Sequence, residues 1–366
     1  SRWTNSVFGG TALNSHGLDS NGQLYKINSF EFYRYEDIIK KEDDAGYDKT
    51  AFEKMLEIKG DSDHTKLIDM LTDLNDYSIG IEDVLKEHFD EENIIYWMAF
   101  QILMGNVDTQ NRNVYLYSPL NSDIWYFIAW DNDGCLMRPE YELRNFSDQN
   151  SWEKGISNYW GNILFQRCLK SRSFREKLND AILDLREYLN KDMLTSKIES
   201  YKNVLKPYLY LMPDAEYEPL TSEQYDQIAA SLPDEIEKNY QLYLESLETP
   251  MPFYIGVPSI DGDKLKFNWD VSYDLDAEDI TYSVEVARDY LFRDVIYQNT
   301  TLTVPEAEMD LPEAGQYFVR IRATNTSGKT QDAFDYYVTD EGKHYGMKCF
   351  YITEDNTVEE DIYEEG

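Results

Sequence analysis

The sequence predicts an α+β fold: a mostly helical region with a small β-hairpin, followed by an all-β sandwich. Helical periodicity dominates to about residue 247, and two short strand-like segments interrupt it. Alternation typical of strands replaces it from Met251 onward. Pro250 and Pro252 mark the change, and such segments often separate domains. We therefore predict domains over residues 1–249 and 250–345 and a solvated, acidic tail over residues 346–366.

The clearest predicted helix has its apolar residues at i, i+3, i+4, i+7 and i+8, which places them on one face. Gly105 follows this helix, and glycine commonly ends a helix because it tolerates a positive φ. The sequence therefore predicts a helix end at Gly105. The apolar positions are Ile95, Met98, Ala99, Ile102 and Leu103.

A hairpin is predicted directly after this helix. Residues 114–117 and 124–130 read as strands, and the polar residues 118–123 between them read as a turn. The second strand is apolar at successive positions, so we expect it to be buried on both faces.

Acidic residues outnumber basic ones by 70 to 34, which gives a net charge of −36. Binding to phosphate backbones requires clustered Lys and Arg, so this balance argues against nucleic acid and anionic membranes as partners. A nucleotide could bind only with a divalent cation between its phosphates and the protein carboxylates. Alternatively, the charge only keeps a secreted or surface protein soluble.

Several classes of protein are disfavoured by what the sequence lacks. No run of about eighteen apolar residues predicts a membrane span. The three cysteines are too scattered for a disulfide framework or a zinc site, and the four histidines share no metal-binding spacing. No Walker loop and no Gly-x-Ser-x-Gly elbow occurs.

Acidic and amide residues lie at both ends of the predicted hairpin. Asp108 and Asn113 precede it with four residues between them, and Asp131 and Asp133 follow it. Phosphoryl transfer needs one carboxylate to orient the attacking hydroxyl, and an Asn and a second carboxylate to hold cations. The Asp-x-x-x-x-Asn spacing equals that of a protein-kinase catalytic loop. Alternatively, Asp108 is a turn residue that hydrogen-bonds local backbone.

Four sequence blocks follow one another in the chain: Gly-x-Leu-Tyr-Lys at Gly22–Lys26, Gly-Asn-x-Asp at Gly105–Asp108, Asn-x-Tyr-Leu-Tyr at Asn113–Tyr117 and Trp-Asp-x-Asp at Trp130–Asp133. In order and spacing they resemble the CotH-type (spore coat CotH) atypical protein kinase family. The resemblance implies that Asp108 is the catalytic base and that Asn113 and Asp131 bind magnesium, with Asp133 in a matching metal-site position. Lys26 lies in the first block and is a candidate cofactor-binding residue, or else a surface Lys on a strand edge. Ala129 stands where family members usually have Pro.

The family's amino-terminal lobe, with a phosphate-pairing Lys, is expected before Gly22. Only 21 residues stand there in this chain, which starts at Ser1. We therefore expect a kinase-like C-terminal lobe from a longer protein.

The region after Pro252 resembles a fibronectin type III sandwich. Residues 264–269, 281–287 and 315–325 alternate as strands, and Trp269 stands in the first of them. Its role could be a spacer, an adhesive surface or a substrate-docking module.

Together these features predict a CotH-like kinase fragment from a bacterial secreted or cell-surface protein. The full-length protein is expected to transfer phosphate from Mg²⁺-bound ATP, or another nucleotide, to protein hydroxyls, whereas the chain as given is expected to be a weak or inactive phosphotransferase. The expected partner is a protein substrate or surface protein. The alternative is a non-catalytic binding or adhesion protein that uses the kinase-like fold as a scaffold.

Overall fold

The computed structural model describes residues 13–144, 152–340 and 342–361. These residues form two compact units. The first, here the helical unit, contains residues 13–144 and 162–241; the second, the β unit, contains residues 152–161 and those from 242 onward. The division falls between Gln241 and Leu242, whereas the sequence analysis placed it at residues 249 and 250.

The helical unit contains one four-stranded antiparallel sheet in the order β2-β1-β3-β4. Its strands are β1 (Gly22–Ile27), β2 (Leu56–Ile58), β3 (Val114–Pro119) and β4 (Tyr126–Ala129). The helices within it are α1 (Lys49–Met55), α2 (Thr65–Asn75), α3 (Ile81–His88), α4 (Glu91–Met104), α5 (Arg138–Leu143), α6 (Ile163–Lys170), α7 (Arg172–Tyr188), α8 (Lys191–Leu209) and α9 (Ser222–Ser231). A further helix, α10 (Glu235–Leu247), crosses the division between the units.

Helix α4 contains the predicted helical segment, but it is buried on most sides and not along one face, since Ile94, Trp97 and Gln101 are buried as well as the predicted positions. The Asp90 side chain accepts a hydrogen bond from the amide of Asn93 at 2.9 Å and caps its start. Gly105 ends it with a φ of 60°, in the left-handed region that glycine tolerates. The predicted helix and its predicted end at Gly105 are therefore confirmed.

The predicted hairpin is part of a larger sheet. Strand β1 pairs with β3 from Gly22 opposite Pro119 to Ile27 opposite Val114. All six residues of β3 are buried, and β3 lies between β1 and β4. Burial of β4 on both faces was a wrong expectation: this strand is at the sheet edge, and within it only Phe127 is buried.

The β unit contains a larger and a smaller antiparallel sheet and a separate strand pair. The larger sheet has the order β15-β14-β10-β7-β8 with β11 beside β10, the smaller has the order β5-β6-β9, and β12 pairs with β13. The strands are β5 (Ser259–Asp261), β6 (Lys264–Asn268), β7 (Ile280–Ala287), β8 (Val295–Leu302), β9 (Glu306–Asp310), β10 (Gly315–Asn325), β11 (Thr330–Asp332), β12 (Tyr336–Thr339), β13 (Gly342–Tyr345), β14 (Met347–Ile352) and β15 (Val358–Glu360).

Strand β14 corrects the predicted tail over residues 346–366. It pairs with β10 along six residues, and Phe350 within it is completely buried. Strand β15 then pairs with β14. The tail prediction is wrong for these strands, because an apolar segment that completes the sheet precedes the acidic residues. None of the helices in the described residues is long and apolar enough to cross a bilayer.

Candidate active site

Asp108 and Asn113, predicted to act together, are in direct contact. Asp108 lies in the loop between α4 and β3, and its side chain is 30% exposed. The Asn113 amide nitrogen Nδ2 donates a hydrogen bond to Asp108 Oδ2 at 2.5 Å. The kinase-like spacing therefore places the proposed base beside the proposed metal ligand.

Arg112 also contacts Asp108, which the sequence analysis did not predict. Its Nε lies 2.5 Å from Asp108 Oδ1, and the arginine side chain is 57% exposed. The spacing of four residues between an acid and a base was the signal available in the sequence. An exposed pair of this kind contributes at most about 1 kcal/mol, so Arg112 can release Asp108 at little cost.

Asn113 is held at the point where the sheet begins. Its backbone amide donates to Ile27 O at 3.1 Å, and its φ of 55° lies in the left-handed region. Because Nδ2 bonds to Asp108, Oδ1 is the atom of this side chain that could bind a cation.

Asp131 and Asp133 lie in the turn that follows β4, and both are exposed. Asp131 has a φ of 54°, and residues Asn132–Gly134 form one 3₁₀ turn. A Cβ atom placed on Gly134 would lie 3.6 Å from Asp108 Cβ. The turn that carries both aspartates therefore packs against the Asp108 loop.

Lys26 lies on an internal strand. It is opposite Glu57 of β2 on one side and Tyr115 of β3 on the other, so its alternative assignment to a strand edge is wrong. The Tyr115 ring packs edge-on against Trp130, with centroids 5.0 Å apart, and Trp130 directly precedes Asp131. Lys26 thus belongs to the end of the sheet that holds the other candidate residues.

The residue types at this end of the sheet suit magnesium. Within residues 13–144, 152–340 and 342–361, no three His, Cys, Asp or Glu side chains cluster as a metal site. Beside a nucleotide, however, magnesium needs only one or two protein carboxylates, because phosphates and waters complete its shell. The carboxylates of Asp131 and Asp133 and the amide oxygen of Asn113 are donors of the required kind.

Cys135, just after the turn, does not fit the role of a nucleophile. Burial raises the pKa of its thiol to about 11. The thiolate is the reactive form, so this cysteine is inert near neutral pH.

Comparison with known proteins identifies the family. The family model described as CotH kinase protein matches residues 9–243, which is more than half of the chain. The chain belongs to the CotH kinase protein family. It is a kinase-like protein, and the matched range contains Lys26, Asp108, Asn113, Asp131 and Asp133.

Two further comparisons add little. No curated protein matches this chain. Among solved structures, one match is "Structure of surface layer protein SbsC, domains 1-6", at 11% identity and a TM-score of 0.16. The match covers 90% of this chain and 41% of that protein, so the chain spans less than half of its length. At this TM-score the likeness supports no structural argument.

Proposed function

We propose that this protein transfers a phosphoryl group from a magnesium-bound nucleotide, ATP or another, to a protein hydroxyl. The observation that supports this most strongly is the contact between the Asp108 carboxylate and the Asn113 amide. The turn with Asp131 and Asp133 packs against the same loop. One carboxylate near the nucleophile and oxygen donors for the cation are the parts that phosphoryl transfer needs.

Each residue has a role in this proposal. Asp108 orients the attacking hydroxyl and accepts its proton as the oxygen bonds to phosphorus and the bond to the leaving oxygen breaks. Asn113, Asp131 and Asp133 would hold magnesium, which neutralises charge on the phosphates when it is bound. Lys26 would contact the nucleotide. Arg112 contacts Asp108 Oδ1 from an exposed position, so it could move aside at little cost as the hydroxyl approaches.

A phosphate-transfer assay on protein substrates tests this proposal, with radiolabelled ATP and magnesium. We expect Asp108→Asn and Asp131→Asn each to reduce transfer by roughly 100-fold or more, because electrostatic and positioning groups contribute effects of this size. Asp123→Asn is the matched control, since Asp123 is a largely exposed residue in the β3–β4 turn. Transfer that survives both site substitutions would contradict the assignment.

A second candidate function is adhesion or binding at a cell surface, with the kinase-like unit as a scaffold. The observation that favours it is the β unit, which we propose is a fibronectin type III-like sandwich of a bacterial secreted or surface protein. Seven of its strands, in the orders β5-β6-β9 and β14-β10-β7-β8, support a sandwich of this type, and β11 and β15 are additional strands of the larger sheet.

Two side chains in the β unit support the same assignment. Trp269 is 5% exposed and packs against Tyr282, with ring centroids 5.3 Å apart. The hydroxyl of Tyr317, near the start of β10, donates to Glu313 O at 2.7 Å, as in the tyrosine corner of such sandwiches. If wild-type protein neither binds a magnesium-nucleotide nor transfers phosphate, adhesion becomes the better proposal.

A further inference from the structure

The turn between β4 and α5 is attached to the protein core through the side chain of Asn132. Its Oδ1 accepts hydrogen bonds from Gln101 Nε2 at 3.1 Å and from Asn106 Nδ2 at 3.3 Å. Gln101 of α4 is completely buried and Asn106 is 2% exposed. Asn132 lies between Asp131 and Asp133, at the position that the family-like block leaves unspecified.

The same network reaches the proposed catalytic base. Asn106 Oδ1 accepts a hydrogen bond from the backbone amide of Asp108 at 3.1 Å. A single amide side chain thus bonds to both loops, through its nitrogen to Asn132 and through its oxygen to Asp108. We call Gln101, Asn106 and Asn132 the amide network.

The turn needs such an attachment because of its backbone. Asp131 and Leu136 have φ values of 54° and 55°, a conformation that is costly for residues other than glycine. Residues persist in such conformations only when their surroundings hold them there. The Leu136 amide bonds to Met104 O at 2.8 Å, and Asn132 bonds to the network, so both ends of the turn are tied to α4 and the loop that follows it.

We propose that Asn132 is a positioning residue that sets Asp131 and Asp133 relative to Asp108 through the amide network. The effect on nucleotide binding rests on the proposed phosphotransfer function, whereas the attachment of the turn through the amide network does not. An amide suits the position because it accepts two hydrogen bonds without adding a charge beside three carboxylates.

Gln101 offers a substitution that separates positioning from stability. Its Oε1 is buried and has no hydrogen-bond partner among the residues described. Gln101→Met would remove the bond to Asn132 and also this unpaired oxygen at nearly constant volume. The free energy lost with the hydrogen bond is then offset by removal of the unpaired oxygen, whose burial costs free energy. The melting temperature should therefore change little.

Hydrogen exchange of residues 130–137 tests the network without requiring activity. We expect Asn132→Ala and Gln101→Met to speed exchange at the Leu136 amide by about five-fold, as for loss of a typical hydrogen bond. Asn132→Asp keeps the acceptor oxygen but adds a charge beside three carboxylates, so its exchange should be slower than that of Asn132→Ala and faster than that of wild type. Asn121→Ala, an exposed site in the β3–β4 turn, is the control. Unchanged exchange in Asn132→Ala and Gln101→Met would overturn the inference.

Calorimetric titration with Mg²⁺-ATP then tests the functional consequence. We expect Gln101→Met to bind about five-fold more weakly than wild type, with a melting temperature close to that of wild type. Faster exchange with unchanged affinity would overturn the positioning role. If wild type does not bind Mg²⁺-ATP, the proposed function fails, and the exchange measurement still decides whether the network holds the turn.

Discussion

The segment after the Asp131 turn is anchored by a buried ion pair that can be tested by mutation. Arg138, the first residue of α5, contacts Glu235 Oε2 at 3.0 Å through Nη1 and Asn239 Oδ1 at 2.6 Å through Nη2. The Glu235 side chain is 1% exposed and that of Arg138 is 19% exposed. Asn239 Nδ2 in turn donates to Leu103 O at the end of α4. This pair therefore links α5 to α4 through α10.

Arg138→Met removes the charge and both hydrogen bonds while keeping an extended apolar side chain. Breaking one side of a buried pair costs about 3–5 kcal/mol, because the remaining charge stays buried. Lys238 still contacts Glu235 at 2.6 Å, so we expect the lower end, about 3 kcal/mol. For a unit of this size that corresponds to a fall in melting temperature of roughly 6–12 °C.

Differential scanning calorimetry measures this change, and two variants make the comparison decisive. Arg172→Met is the control. The side chains of Arg172 and Glu176 are 85% and 64% exposed, so their ion pair contributes at most about 0.5 kcal/mol to the free energy of unfolding. Arg138→Met/Glu235→Leu should recover most of the loss, since apolar replacement of both partners is often neutral. Equal falls in Arg138→Met and Arg172→Met would refute the reasoning.

Three further outcomes are expected. Burial lowers the pKa of His64, so the unfolded state binds the proton more readily and stability falls as pH drops below about 6.5. In denaturant titrations at pH 7.5 and 5.5, His64→Gln should lose part of this dependence, and an unchanged dependence would contradict the assignment. Gly105→Ala should cost more than about 1 kcal/mol of unfolding free energy, because φ is positive and the new Cβ would lie 2.7 Å from Asn239 Nδ2; a neutral result in denaturant would contradict this. Tyr317→Phe should lower the stability of the β unit by about 1 kcal/mol through loss of one hydrogen bond, and an unchanged melting temperature would argue against the tyrosine corner.

Local sequence patterns predicted the features that are determined by residues close together in the chain. Helix α4 and its end at Gly105 follow from periodicity and from one residue that tolerates a positive φ. The contact between Asp108 and Asn113 agrees with their kinase-like spacing. Pairing of β1 with β3 joins segments almost ninety residues apart, so no local pattern reveals it or shows that β4 is an edge strand.

The residues that support the site were missed for the same reason. Nothing in the local sequence indicates that Asn132 bonds to Gln101 and Asn106, because both partners are distant from it in the chain. Gln101 did carry a signal, since it is a polar residue in an otherwise apolar stretch of α4. Arg138 meets Glu235 across almost one hundred residues, and nothing in either local sequence indicates the pairing.

The limits of the β unit give a last prediction, which differs from that of the sequence analysis. Residues 250–345 were predicted to form a domain, but a fragment with these limits omits β14, which pairs with β10 along six residues. It also omits residues 242–249, where the Ser246 hydroxyl accepts a hydrogen bond from the Ile156 amide within the β unit. A fragment of residues 242–361 restores β14 and residues 242–249, although Ile156 lies outside it.

The buried apolar side chains of β14 determine whether the shorter fragment is expected to fold. Met347, Phe350 and Ile352 are at most 6% exposed, and full burial of such side chains contributes about 1.5–3 kcal/mol each. Their loss, roughly 5–9 kcal/mol, is comparable to the entire stability of a domain of this size. Residues 250–345 should therefore be unfolded and quickly cleaved by protease, whereas residues 242–361 should show a dispersed amide spectrum and resist cleavage. If both fragments resist protease equally, β14 is dispensable and the sandwich is complete without it.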